Sequence, residues 1–356
     1  MQILYDHQVF SWQVTGGISR YFVELQKRLN SRNSTFISNN LYLQTMNRSI
    51  LRLFPGIYIP GKTQLIKFLN KLWSIKTINK REYDIFHPTY YDHYFQKYLG
   101  DKPYVITVFD MIHELFSKEF GVNNTSEIKR RAILGAKRII AISESTKRDL
   151  INLYGLSADK IDVTHLASSL LTSQSKPLDL PAKYVIYVGD RAKYKNFKRF
   201  CESMYTIMKK DPNINIVCVG GGDFSASEIK SFQDFEDRIL QRSLSDDELV
   251  YAYQHAICLV FPSLYEGFGL PVLEAMECGC PVVCSNTSSF PEVAGPAALY
   301  FDPLSKLEIS KSISTIISSK KIREKMIATG YRRAKQFSWD KCADLTSAVY
   351  QKVLSS

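Results

Sequence analysis

The sequence predicts an α/β protein of two domains, each a parallel sheet flanked by helices. Three observations carry this. Short apolar runs recur along the chain, each closing on a glycine or polar turn and then passing into helical spacing. Strands that alternate with helices build parallel sheets. The rhythm breaks once, in the polar, proline-bearing stretch 170–183 (LLTSQSKPLDLPAK), and then restarts. The length of 356 residues suits two domains of roughly 100–200 residues. A hydrophobic fraction of 45% and a charged fraction of 23% are ordinary for a soluble globular chain and exclude disordered, collagen-like and coiled-coil classes.

The elements follow in order. Residues 2–5 read as a buried strand, followed by a turn at Gly16-Gly17. A helix over 18–29 then carries Ile18, Tyr21, Phe22, Leu25 and Leu29 on one face. Further strands are expected at 83–86, 104–109 and 139–142, the last leading to Ser143 as the N-cap of a helix. After the break, strands are expected at 184–188, ending in Gly189, and at 214–219, ending in Gly220-Gly221-Gly222. Two more are expected at 256–261 and 281–284. From Lys306 the spacing is helical, with Ile309, Ile313, Ile316 and Ile317 on one face, and 339–354 repeats it. The expected domains are 1–172 and 183–335, joined by a linker at 173–182. A terminal helix at 336–356 is expected to cross back to the first domain. Open α/β sheets bind ligands outside the carboxyl ends of their strands, so the expected site is the cleft that the two domains face.

Charge is uneven. Residues 1–170 hold 23 Lys and Arg against 14 Asp and Glu, while the remainder holds 23 against 21. No acidic residue occurs from Leu25 to Arg81. Within that region, 62–81 (KTQLIKFLNKLWSIKTINKR) interleaves lysines with Leu65, Phe68, Leu72 and Trp73. This is the composition of a basic amphipathic helix, suited to an anionic membrane surface. The ordinary alternative is a domain helix with its apolar face inward. Nucleic acid is not expected as a partner, because the stripe has few stackable aromatics and no binding motif accompanies it. No apolar run reaches membrane-span length and no signal peptide is visible, so the expected location is cytoplasmic. The basic helix would allow a peripheral seat at the inner face of the cytoplasmic membrane. The seven cysteines, all at or after Cys201, are expected as reduced thiols. Cys278, Cys280 and Cys284 have no second cluster at zinc spacing, and no metal site is expected.

The densest chemistry lies at 262–276, PSLYEGFGLPVLEAM. A strand ends in a glycine-bearing loop, and a helix starts near Pro271, a residue suited to the first helical position. Gly267 and Gly269 let the backbone approach a ligand, and the N–H groups of Gly269 and Leu270 would point at an anion. Glu266 and Glu274 are carboxylates able to accept from sugar hydroxyls. In 189–196, GDRAKYKN, cations follow a strand end. Arg191 and Lys195 suit the developing charge of a diphosphate leaving group.

The string P-S-x-x-E-G-F-G-L-P-x-x-E-A, with seven residues between Glu266 and Glu274, resembles the E-x7-E signature of the retaining GT-B glycosyltransferases, family GT4. Gly16-Gly17-Ile18-Ser19-Arg20, residues 141–150, Tyr187-Val188-Gly189 with Lys195-Asn196, Cys280-Pro281-Val282-Val283 and Pro291-Glu292-Val293-Ala294-Gly295 match the family in order. The resemblance covers nearly the whole chain. It implies two Rossmann-like domains, no cofactor, and a nucleoside diphosphate sugar as substrate. Glu266 would hold the donor sugar, Glu274 the ribose, and Arg191 and Lys195 the diphosphate, with Gly267, Phe268, Gly269 and Leu270 lining the donor. The Gly16-Gly17 backbone would face the phosphates and the acceptor. The family's usual histidine is replaced by Phe109; Asp110 matches the aspartate that follows it, and His113 is the nearest substitute. His87 is a weaker candidate for acceptor contact. The string Y-V-G-x-R-x-x-Y-K-N-F at 187–197 resembles bacterial mannosyltransferases of surface polysaccharides. This implies GDP-mannose, or else a UDP-sugar, and a glycan or lipid-linked oligosaccharide acceptor. The alternatives are an inactive carbohydrate-binding relative and a nucleotide-sugar epimerase of the same fold.

Overall fold

The carboxyl ends of parallel strands set where this chain can bind a ligand, so the strand order comes first. A computed structural model describes the chain except for residues 48, 54–56, 58, 121–124, 171 and 356, and the side chains of 120 and 233. It resolves into two compact units, Met1–Leu166 with Trp339–Ser356, and Ala167–Ser338.

The first unit holds β1 (Ile3–Tyr5), β2 (Ser31–Asn33), β3 (Ile85–His87), β4 (Val105–Val108), β5 (Arg138–Ala141) and β6 (Ile161–Val163). They pair in parallel as β2-β1-β3 and β4-β5-β6, and one parallel bridge from Phe86 to Tyr104 joins the two ladders. The combined order 2-1-3-4-5-6 is the flavodoxin-like winding, which reverses between β1 and β3. The Trp339–Ser355 helix packs here. Its Tyr350 hydroxyl meets Tyr5 Oη at 3.0 Å, and Lys352 pairs with Asp162 at 2.6 Å.

The second unit holds β7 (Tyr184–Val188), β8 (Asn215–Val219), β9 (Ile239–Arg242), β10 (Leu259–Phe261), β11 (Val282–Ser285) and β12 (Ala298–Phe301). All pairs are parallel, in the order β12-β11-β10-β7-β8-β9. This is the dinucleotide-fold order, reversing between β7 and β10. Central strands buried on both faces need continuous apolar runs, and Tyr184–Val188 is buried throughout. Its core gathers Tyr187, Phe200, Met204, Ile216, Val260, Ile309 and Ile313. All seven cysteines are buried and unpaired. Of the stretch 170–183, Leu171 lies outside the described residues; Lys176 donates to Asp247 O at 3.1 Å and pairs with Glu248 at 2.7 Å.

The four strands absent from the sequence reading, β2, β6, β9 and β12, all lie at the ends of their ladders. Edge strands tolerate polar residues, and β2, β6 and β9 contain them, whereas β12 is apolar throughout, Ala298-Leu299-Tyr300-Phe301. Ser31-Arg32-Asn33 contains no apolar residue at all.

The Lys62–Asn79 helix departs from the ordinary amphipathic arrangement. Its inward face is Ile66, Asn70, Ser74 and Ile78. Asn70 Oδ1 accepts from the N–H groups of Phe36 and Ile37, at 3.0 and 2.8 Å, and its amide donates to Ser11 Oγ and Ile37 O. Ser74 Oγ lies 2.8 Å from His7 Nδ1 and 2.7 Å from Ser34 Oγ. Polar anchors hold the helix, so Leu65, Phe68, Leu72 and Trp73 face outward, with Phe68 58% exposed.

Candidate active site

The loops leaving β7 and β10 flank the reversal point of the second sheet. They are tied to each other through the backbone and through one ion pair. Leu264 N–H donates to Tyr194 O at 2.7 Å. Asn196, in the left-handed region at φ 59°, donates from Nδ2 to Pro262 O at 3.1 Å and to Pro303 O at 2.7 Å. These bonds seat Lys195 against the β10 loop, and its ammonium donates to Glu266 Oε1 at 2.6 Å. Both side chains are 12% exposed. Burial opposes the charge on Lys195, but the Glu266 carboxylate outweighs it and holds the lysine above its usual pKa. Ser263 Oγ also donates to Glu266 Oε1, at 2.8 Å.

The β11 loop fixes the backbone of Glu266. Its N–H donates to Ser288 Oγ at 3.1 Å, and its carbonyl accepts from Ser288 Oγ and, at 2.9 Å, from Ser289 Oγ. Ser288 has φ 57°, a strained conformation for a residue with a β-carbon, which the double contact to Glu266 holds in place. The turn ends at Gly269, φ 93°, the N-cap of the Leu270–Glu277 helix. A β-carbon there would stand 3.1 Å from the Phe290 ring, so glycine is needed for both conformation and space. Gly267 and Phe268 are buried, and Phe268 meets Phe337 edge-on at 5.9 Å. Glu274 is half-buried on this helix, and its Oε2 accepts from the Tyr253 hydroxyl at 3.3 Å.

Arg191 stands in the β7 loop but turns toward β8. Nε donates to Glu228 at 2.5 Å, Nη1 to Gly220 O at 3.1 Å, and Nη2 to the carbonyls of Gly222 and Asp223 at 3.0 and 2.8 Å. The guanidinium lies 4.7 Å from the Phe224 ring centre. Gly220, Gly221 and Gly222 all have positive φ, and a β-carbon at Gly221 would stand 2.5 Å from Arg191 Nη1. Burial opposes the Glu228 charge, yet hydrogen bonds from Ser225 and Arg191 hold its carboxyl below the usual range.

In the first unit, Gly16 precedes the Gly17–Arg28 helix as its N-cap, and Gly17 is exposed. Asp110 follows β4 and is half-buried. Its Oδ1 accepts from Ile112 N–H at 3.1 Å, and its carbonyl accepts from Lys129 Nζ at 2.6 Å. Lys129 is buried and pairs with Glu114 at 3.0 Å. His113 sits half-buried on the Ile112–Leu115 turn. Phe109 packs edge-on against Tyr21 at 5.4 Å and is part of the core.

His87 needs correcting as a candidate for acceptor contact. It is fully buried, with Nδ1 2.6 Å from Tyr350 Oη and Nε2 3.0 Å from Thr107 Oγ1. Burial lowers its pKa to about 3, so it is a neutral structural linker of β3, β4 and the terminal helix.

Sequence reasoning missed Ser288, Tyr253, Glu228 and Lys129. Only Ser263 and Asn196 carried a signal, as members of the quoted strings. Nothing in a single sequence marks one lysine among many for burial.

The comparisons bear on this arrangement. Residues 15–167 match the family model described as Glycosyltransferase Family 4, and residues 171–333 match that of Glycosyl transferases group 1. The chain belongs to these glycosyltransferases. Among curated relatives, this family 4 chain is 32% identical over 241 residues to the O-antigen chain mannosyltransferase B of Escherichia coli, which spans 61% of each protein. The chain thus spans about three fifths of that relative's length, and about a third of the Escherichia coli serotype-specific mannosyltransferase WbdA. Among solved structures, sucrose-phosphate synthase from Thermosynechococcus elongatus superposes with a TM-score of 0.75 at 18% identity, covering 99% of both chains. Anabaena Alr3699/HepE, in complex with UDP and glucose, superposes with a TM-score of 0.74 at 16% identity, covering 98% of this chain and 99% of that one. The fold of this family 4 chain is therefore GT-B, with two Rossmann-like units.

Proposed function

We propose that the chain transfers mannose from GDP-mannose, with retention of configuration, to a hydroxyl of a glycan or lipid-linked acceptor in surface polysaccharide synthesis. The observation that carries this reading is the Lys195–Glu266 pair at the reversal point of the second sheet. A carboxylate and an ammonium side by side offer an acceptor for sugar hydroxyls and a cation for the adjacent diphosphate. Glu266 takes the sugar hydroxyls, and Lys195 and the amides at Gly269–Leu270 face the phosphates. Glu274 takes the ribose. Arg191 adds its charge while holding the Gly220–Gly222 turn. The leaving phosphate takes the acceptor proton on the face where the acceptor attacks, with no covalent enzyme intermediate. Asp110 and His113, in the first unit, are assigned to the sugar and acceptor side, with Gly16 and Gly17.

The relatives' names support mannose as the sugar, and the UDP-bound neighbour keeps a UDP-sugar as the second reading. The outward Leu65, Phe68, Leu72 and Trp73 support a seat on an anionic membrane, because the same segment is flanked by lysines and carries no acid from 25 to 81. A second copy of the chain would set lysines against lysines on that face. The test is incubation with GDP-mannose and a mannose-terminated oligosaccharide, with the product's anomeric coupling read by NMR. An α-mannoside is expected; a β-mannoside, or no product with any nucleotide sugar, contradicts the proposal.

A further inference from the structure

We propose that Lys129 is a positioning residue for transfer: its buried ammonium fixes the turn after β4 that carries Asp110, and so sets where the Asp110 carboxylate stands. This rests on the assignment of Asp110 to the sugar and acceptor side, and adds a residue that acts through it. Three charged groups meet at this turn, and they differ in access. The Asp110 side chain is 31% exposed, against 7% for Glu114 and 1% for Lys129. Lys129, on the Thr125–Leu134 helix, is therefore shut off from any substrate, while Asp110 is open to one.

The ammonium joins the two ends of the turn. Lys129 Nζ donates to Asp110 O at 2.6 Å and to Glu114 Oε2 at 3.0 Å, and lies 4.0 Å from Asp110 Oδ1. Glu114 is held in its place by Tyr154, at the end of the Glu144–Tyr154 helix, whose hydroxyl donates to Oε1 at 2.8 Å. The residue before Asp110 is anchored as well. Phe109 N–H donates to Tyr91 Oη at 3.1 Å, and Lys129 Nζ lies 5.2 Å from the centre of the Tyr91 ring. Asp110 Oδ1 accepts from Ile112 N–H at 3.1 Å, so a fixed backbone fixes the carboxylate.

Local structure cannot supply this order. Ile112–Leu115 is a single helical turn, far shorter than a helix that holds itself in water. Stability alone does not call for a charge here either. Taking an ammonium out of water is costly, and an apolar pair of the same volume commonly supports a fold as well or better. An aliphatic side chain at position 129 would fill the space, yet it would leave the Asp110 carbonyl without its donor. What the ion pair adds is direction: two short charge-assisted bonds define one position for the Asp110 backbone.

The test is steady-state transfer and amide hydrogen exchange on the full chain, comparing wild type with the paired variant Lys129→Met, Glu114→Gln. The pair keeps the side-chain volumes and leaves no lone charge, so its melting temperature should stay near that of wild type. Referred to the folded fraction read by circular dichroism, kcat should fall at least tenfold, with donor KM unchanged. The amides of residues 110–115 should exchange at least tenfold faster, while those of β7 and β10 exchange as in wild type. Glu114→Gln alone, the milder change, should show the same split at a kcat loss of at least threefold. A kcat within twofold of wild type in both variants, or unchanged exchange at 110–115, overturns the proposal. A donor KM that rises in step with the fall in kcat also overturns it, making the pair a support of the whole chain. Absence of transfer by wild type with any nucleotide sugar defeats the functional reading instead, and the exchange rates then decide by themselves whether Lys129 holds the turn.

Discussion

Lys195 and Glu266 form a 2.6 Å ion pair between the loops leaving β7 and β10, the two strands between which the second sheet reverses its winding. Sequence separates them by 71 residues, and the parallel order brings them together. A pair this shielded has two consequences, one for stability and one for ligand binding.

Breaking the pair from one side leaves a shielded charge alone. Lys195→Ala and Glu266→Ala should each destabilise the second unit by about 3 kcal/mol. The double variant should lose less than the sum of the two, which denaturant melts in a double-mutant cycle will show. All three variants should have no measurable transfer.

Ser288 holds the backbone of Glu266 through bonds to both its N–H and its carbonyl. Ser288→Gly relieves the positive φ but removes the clamp. Expected are a melting temperature close to wild type and a kcat reduced at least tenfold. Ser288→Thr, which keeps the hydroxyl, should recover part of that rate; steady-state kinetics on the three forms decides it.

Gly221→Ala places a methyl group 2.5 Å from Arg191 Nη1 in a left-handed turn. The guanidinium must leave Gly220 O or the turn must open. Stability should fall by about 1–3 kcal/mol, with donor KM rising. An unchanged donor KM would detach Arg191 and its turn from the donor.

His7 and His87 are both buried and neutral, with pKa values lowered to about 3. Their unfolded forms take up protons near pH 6.5, so between pH 6.5 and about 3 the unfolded state binds more protons. Each histidine then removes up to about 1.4 kcal/mol of stability per pH unit as pH falls, with the full contribution present above pH 6.5. His87→Gln should flatten the acid slope of stability by one such contribution, whatever it does to the midpoint. Melts at pH 7, 6, 5 and 4 give the slope.

The outward face of the Lys62–Asn79 helix should bind vesicles of phosphatidylglycerol and phosphatidylcholine, and not phosphatidylcholine alone. Each surface lysine adds about 1 kcal/mol at an anionic leaflet. Leu72→Ser with Trp73→Ser should lower sedimentation with anionic vesicles at least fivefold, without changing transfer to a soluble acceptor. Equal binding by wild type and variant removes the membrane from the account.

What was legible in the sequence follows from how each feature is encoded. Central strands such as β7 carry their burial in an unbroken apolar run, and Ser143 announces its helix with the cap it makes to Thr146 N–H at 3.0 Å. The Glu266 loop was legible because its glycines, proline and carboxylates sit in one string. Three of the edge strands, β2, β6 and β9, lacked an apolar run to read. The inward use of Asn70 and Ser74 was hidden because their partners, Ile37, Ser11 and Ser34, come from elsewhere in the chain. Arg191 was legible as a cation at a strand end, but its attachment to Glu228 and the Gly220 turn depends on a neighbouring strand that no local pattern names.

The most direct test of the Lys195–Glu266 donor site is a thermal-shift titration of wild type and Lys195→Ala with GDP-mannose, with UDP-glucose in parallel. At 100 times its dissociation constant a donor stabilises by about 2.7 kcal/mol. The account predicts that GDP-mannose raises the melting temperature of wild type and leaves that of Lys195→Ala where it was. An equal shift in both proteins, or none in wild type with either sugar nucleotide, would contradict it.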